Sequence, residues 1–171
     1  MELKELTEST MEIFEVAEPS QLGDAIFKAC GNVEKLHGFR KLVDGDLGTD
    51  WLQKIYQYYL ADRQDKKQDF TPPSLAKFIG VLTGESEHVV DMCAGSGALI
   101  IQKWKLNKNT SFTAIETDKN VIPFLLFNLV LRNIKCTVFQ TDALVQDEFT
   151  GVWEIAKGVE FGCISCIKSA V

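Results

Sequence analysis

Asp91, Glu116 and Asp142 are the residues of this chain best placed for chemistry, because each acid stands at the end of a short apolar run of strand character. Asp91 heads Asp91-Met92-Cys93-Ala94-Gly95-Ser96-Gly97, at the point where strand hands over to helix. Ligands bind at that edge of an open α/β sheet. Gly95 and Gly97 can take positive φ and, having no Cβ, let a ligand come close to the backbone. The dinucleotide fingerprint needs a third glycine to admit a pyrophosphate, and Ala94-Gly95-Ser96-Gly97-Ala98 lacks that spacing. An acid at the head of the loop suits a ligand with a cationic amine better than one with phosphates. Glu116 falls at the next strand end, where a carboxylate can accept two hydrogen bonds from ribose hydroxyls. Asp142 ends a third strand; taken alone it could also be a turn or helix-cap aspartate. Cys163-Ile164-Ser165-Cys166 has the spacing of a redox or zinc pair. A redox pair usually sits at a helix N-terminus, however, and zinc needs two further ligands that no nearby spacing supplies. Buried apolar cysteines in a terminal strand are expected there instead. His37 and His88 lack the spacing of ligands or general bases.

Periodicity supplies the framework that holds these residues. Glu2, Glu5, Glu8, Glu12 and Glu15 recur beside a stripe of Leu3, Leu6, Ile13 and Ala17, which predicts an amphipathic helix over 2–17 with a solvated acidic face. Pro19-Ser20-Gln21 stops it and offers Ser20 as cap for a second helix over 21–37. The stretch 38–48, with Asp44-Gly45-Asp46, predicts a turn-rich connection. Trp51, Leu52, Ile55, Tyr56, Tyr59 and Leu60 mark a third helix whose aromatic stripe belongs to a core. A charged run, 62–69, marks the boundary between a helical segment, 1–67, and a second unit, 68–171. In the second unit strands alternate with helices: a helix over 73–84 opened by Pro72-Pro73, a strand from His88 to Met92, a helix from Ala98 to Lys105, a strand from Phe112 to Glu116, a helix over 118–132 and a strand from Cys136 to Gln140. That alternation implies parallel pairing and the start of a doubly wound α/β sheet.

Composition narrows the function classes. The chain has 171 residues, 46% apolar and 25% charged, with a net charge of −6, which excludes extended disorder as its main state. Its first 70 residues hold 14 acids against 9 bases, and the rest 10 against 9. Neither part carries the basic footprint that phosphate neutralisation demands, so the electrostatics oppose a chain that grips DNA unaided. No apolar run is long enough to span a membrane, and six glutamates occupy the first 18 residues, where a signal peptide would be basic and then apolar. The expected location is the cytoplasm, with no membrane partner. Five cysteines in no framework spacing predict reduced thiols.

Gln68-Asp69-Phe70-Thr71-Pro72-Pro73, the Asp91 to Gly97 loop, Glu116-Thr117-Asp118, Asn128-Leu129 and Thr141-Asp142-Ala143-Leu144 together resemble the cofactor half of adenine-N6 DNA methyltransferases, especially modification subunits of type I restriction systems. The resemblance covers about residues 68 to 145. It implies a partial Rossmann-like methyltransferase fold behind an α-helical N-terminal segment, and S-adenosylmethionine as cofactor. Phe70, Thr71 and Pro72 would line the methionine and adenine side. Asp91, Cys93, Ala94, Gly95 and Gly97 would meet the methionine part, Glu116 the ribose and Asp142 the adenine amino group. The family also carries an Asn/Asp-Pro-Pro-aromatic tetrapeptide some 15 to 20 residues after the position of Asp142, where this chain reads Ala156-Lys157-Gly158-Val159-Glu160-Phe161-Gly162-Cys163-Ile164-Ser165. That tetrapeptide polarises the target amine and stacks on the flipped base. The resemblance therefore implies a truncated or degenerate methyltransferase without independent catalysis and with no catalytic residue of its own. The alternatives are a non-catalytic partner subunit of a modification complex, reaching DNA only weakly or through another protein, and a methyltransferase acting on a non-DNA substrate.

Overall fold

The computed structural model describes residues 1–61, 71–145 and 149–169. Four helices come first: α1 (Leu3–Phe14), α2 (Leu22–Ala29), α3 (Val33–Leu42) and α4 (Trp51–Tyr59). The α/β part comes next as α5 (Pro73–Leu82), β1 (His88–Asp91), α6 (Ala98–Leu106), β2 (Ser111–Glu116), α7 (Ile122–Leu131), β3 (Cys136–Gln140), β4 (Gly151–Ala156) and β5 (Cys163–Ser169). The boundary expected at 67/68 and its charged run lie outside the described residues.

The helical part departs from the sequence expectations in four places. The first helix ends at Phe14 with Glu15 in the left-handed region, ahead of Pro19. The helix expected over 21–37 is two helices, because the Asn32 side chain accepts the Lys35 backbone N–H at 3.1 Å and starts α3 afresh. Ser20 caps nothing; Glu18 and Gln21 form the capping box of a short 3₁₀ turn at Pro19–Gln21. The turn expected from Gly38 begins only after Leu42, with Asp44 and Gly45 at positive φ. Gly38 stays helical, and α1 lies close to it: a Cβ there would stand 3.5 Å from Ile13.

The five strands form one sheet in the order β1-β2-β3-β4-β5. β1, β2 and β3 run parallel, whereas β4 and β5 are antiparallel to their neighbours. Both parallel crossovers step in the same direction, so their right-handedness sets α6 and α7 on one face. Strand alternation agrees: Phe112, Ala114, Cys136, Val138, Trp153 and Ile155 are buried on that face. The opposite face, with His88, Val90, Thr113, Ile115, Thr137, Phe139 and Glu154, is exposed or half-exposed. The parallel sheet expected from the sequence thus ends at β3, and the chain returns beside it as a hairpin.

α7 explains how the N-terminal helices attach. Nine of its ten residues are buried, as expected of a helix that is apolar all round and packed on two sides. Phe127 meets Phe14 of α1 and Phe39 of α3 edge-on at 5.3 and 5.5 Å, an arrangement aromatic quadrupoles favour. One apolar cluster runs from Leu6 through Phe127 to Trp153 and Ile155, so the helical segment and the sheet share a core.

Candidate ligand-binding site

The Asp91 to Gly97 loop leaves β1 and enters α6 with Gly95 and Gly97 at φ of 54° and 96°. Ser96 between them is 1% exposed. Several loop amides are already engaged: Cys93 N–H donates to Asp91 Oδ1 at 3.3 Å, Ala94 N–H to the Ile115 carbonyl at 3.0 Å, Gly95 N–H to Glu116 Oε2 at 2.8 Å and Gly97 N–H to the Ala94 carbonyl at 2.8 Å. These residues therefore offer a ligand close backbone approach, while the loop is held partly by its own bonds and partly by the end of β2.

The two acids differ in their surroundings. Glu116 accepts from Gly95 on one oxygen and from the Asp118 N–H on the other, at 2.8 Å each, which leaves further lone-pair capacity on both. Asp91 Oδ2 is buried with no hydrogen-bond partner. Burial raises the Asp91 pKa, the Cys93 N–H opposes that shift, and the nearby Glu116 charge adds to it. Such a buried acceptor is costly unless a donor or cation meets it.

The remaining expected residues do not all gather beside this pair. Thr71 and Pro72 line a cleft of about 390 Å³ that includes Gly48, Asp50, Gln53 and Ala98 but neither Asp91 nor Glu116; Asp91 lines a smaller cavity between α5, β1 and α6. Asp142 is exposed, and its Oδ1 accepts the Leu144 N–H at 2.9 Å, a turn-capping bond. Cys93 is exposed and Ala94 buried. Phe70 lies outside the described residues. Asp91, Cys93, Gly95 and Glu116 thus cluster at the β1 and β2 ends, tied by the Asp91–Cys93 and Gly95–Glu116 hydrogen bonds, and Asp142 belongs to a separate turn.

Residues that the strand-end pattern does not single out complete the site. Asp50 accepts the Ser96 hydroxyl on Oδ2 at 2.6 Å, and on Oδ1 the Asn128 side-chain amide and the Gln53 N–H, both at 2.9 Å. Asn128 Oδ1 in turn accepts from Arg132 Nη1 at 2.7 Å. Arg132 also donates to the carbonyls of Leu47, Thr49 and Asn128. Burial pulls its pKa down to about 10, and Asp50 and Asp46 oppose that shift. Sequence does signal Asp50 as a helix N-cap, since it stands directly before an apolar-periodic run. Nothing in the linear order signals that it meets residues 46 and 78 positions away.

The cysteine pair differs from expectation. Cys163 and Cys166 do lie in the last strand, but both are exposed because that strand is the sheet edge. Cys30 and Cys136 are the buried thiols, with burial pushing each up to about 12. All five cysteines are free. His37 pairs with Glu160 at 3.3 Å on the surface. Among the described residues no cluster of metal-ligating side chains occurs, and no helix is long and apolar enough to cross a membrane.

Comparison with known proteins gives a family and a distant likeness. No curated protein matches the chain. A solved structure from Listeria monocytogenes, provisionally described as a class I S-adenosylmethionine-dependent methyltransferase, aligns with 84% of this chain and 53% of its own at 17% identity and a TM-score of 0.48. This chain therefore spans about half the length of that protein. The family model described as N-6 DNA Methylase matches residues 47–161, from the turn before α4 to the loop before β5. That match takes in well over half of the chain, and the chain belongs to the N-6 DNA methylase family.

Proposed function

We propose that the chain binds S-adenosylmethionine at the C-terminal edge of β1 to β3, as an adenine-N6 DNA methyltransferase-like protein that does not transfer the methyl group unaided. The observation that carries this reading is the buried, unpartnered Oδ2 of Asp91. A carboxylate oxygen in that state fits the ammonium of an amino acid ligand. Glu116 retains acceptor capacity that suits a ribose diol, and Thr71 and Pro72 border a cleft that reaches the start of α6 at Ala98. When bound, S-adenosylmethionine supplies a methyl group activated on a sulfonium. The chain's own residues bind and orient it.

The non-catalytic part of the reading rests on the sequence beyond β3. No proline occurs after Pro123, so no Asn/Asp-Pro-Pro-aromatic is present there to hold a flipped adenine and polarise its amine. An unpositioned amine forgoes the effective-molarity advantage, worth about 7 to 11 kcal/mol in well-oriented reactions. A partner chain is favoured by the outer face of α5, where Leu75, Phe78, Val81 and Leu82 are 47 to 70% exposed.

Calorimetric titration with S-adenosylmethionine and with its demethylated product tests the first part. Binding in the micromolar range, about 8 kcal/mol, is expected, with a matching rise in melting temperature at saturation. No heat at millimolar ligand would overturn it. Labelled-methyl incorporation into mixed-sequence DNA tests the second: none is expected from the chain alone, and incorporation only with added cell extract identifies a partner. Incorporation at adenine N6 by the purified chain refutes the non-catalytic reading.

A further inference from the structure

We propose that Asp50, at the start of α4, is the positioning residue of the glycine loop, so that the N-terminal helical segment sets the geometry of the cofactor edge. This inference rests on the S-adenosylmethionine reading above.

Gly95 and Gly97 give the loop its two left-handed torsions, and glycine torsions are the least constrained that a chain can have. Something must fix the residue between them. Ser96 is held twice: its hydroxyl donates to Asp50 Oδ2 at 2.6 Å, and its carbonyl accepts from the Asn128 amide at 2.9 Å. Asn128 is itself bonded to Asp50 and to Arg132. Asp50, Ser96, Asn128 and Arg132 are all buried, so water competes little for these bonds. The Asp50 charge is compensated through Asn128 by the Arg132 guanidinium rather than by a direct ion pair.

α4 extends the same hold along its length. Asp50, Gln53 and Tyr56 fall one turn apart on one face. Gln53 Nε2 donates to the Thr71 carbonyl at 3.4 Å, and the Tyr56 hydroxyl to Asp118 Oδ2 at 3.3 Å. Asp118 donates its N–H to Glu116. One helix of the N-terminal segment therefore reaches the loop after β1, the turn after β2 and the segment before α5.

The test compares Ser96→Ala, Asp50→Asn and the double variant with Asn32→Ala. The last removes the cap of α3 and has no tie to the loop. Each is titrated with S-adenosylmethionine well below its melting temperature, and amide exchange is followed over residues 93–98. Ser96→Ala and Asp50→Asn are expected to weaken binding at least fivefold and to speed exchange in the loop. The double variant should lose less than the product of the two single effects. Asn32→Ala should bind as wild type does. Wild-type affinity and loop exchange in Ser96→Ala would overturn this inference and leave the cofactor reading standing. So would an equal loss in Asn32→Ala, which would make the effect general destabilisation. No binding by the wild-type chain overturns both. Should Asp50→Asn fail to fold, Ser96→Ala decides alone, since it keeps the Asp50 cap and the backbone bonds of the loop.

Discussion

Asp91 holds a buried carboxylate oxygen without a partner beside a second acid, which stores a cost that a ligand donor or a proton relieves. Its folded-state pKa lies above the unfolded value. The folded chain therefore binds the proton more tightly, and stability falls as pH rises from the unfolded carboxylate pKa through the raised folded one. Above that window the penalty is fully present. Asp91→Asn removes the charge while keeping an acceptor for the Cys93 N–H. At neutral pH it should raise unfolding stability by about 1 kcal/mol, an advantage that shrinks as pH drops through the window. The same variant should lose S-adenosylmethionine affinity at least tenfold. Urea unfolding at several pH values and calorimetry measure both. A variant with unchanged affinity would deny Asp91 its role, however stable it proved. Residue type and position are enough to single out Asp91 and Glu116, because an acid after an apolar strand run is visible in the chain. That Glu116 spends part of its carboxylate on Gly95 and Asp118 is not visible there, since those bonds depend on how the β1 and β2 ends lie side by side.

The turn from β1 into α6 and the hairpin beyond β3 differ in how far local rules reach. At Gly97 the φ of 96° excludes most side chains, and a Cβ would stand 3.0 Å from Leu125. Gly97→Ala should destabilise the chain by about 1 to 3 kcal/mol and should abolish detectable cofactor binding, because the backbone must shift to relieve both. Wild-type affinity in a folded Gly97→Ala protein would show that the loop tolerates that shift. The loop is legible because glycine marks special backbone positions in sequence. The helix break at Asn32 is hidden, because a capping side chain interrupts an apolar period without a proline. The hairpin is hidden for another reason. β4 reads Val152, Trp153, Glu154, Ile155, with a register shift between Val152 and Trp153; nothing in that order separates parallel from antiparallel pairing, which is decided by the return path from β3.

Across the whole molecule, residues 1–61 serve the site as well as the core, although composition alone would set them apart as an acidic helical unit. The feature that binds them is the buried Arg132, which donates across the chain to the carbonyls of Leu47 and Thr49. Pulling the N-terminal helices away would take the Leu47 and Thr49 acceptors from the guanidinium and expose the faces of Phe14 and Phe39 that close on α7. Each hydrogen bond to that charged group contributes about 1.5 to 3 kcal/mol before any apolar surface is counted. Covalent continuity between the two parts is therefore dispensable once the protein has folded. A protease site inserted after Ala61 and then cut should yield two fragments that migrate as one particle in size-exclusion chromatography at neutral pH and separate only in denaturant. With Arg132→Met the nicked halves should come apart more readily; equal cohesion would show that the aromatic contacts alone hold them. Unfolding and refolding such a nicked form together with a labelled copy of the helical piece would then place that copy in the folded particle.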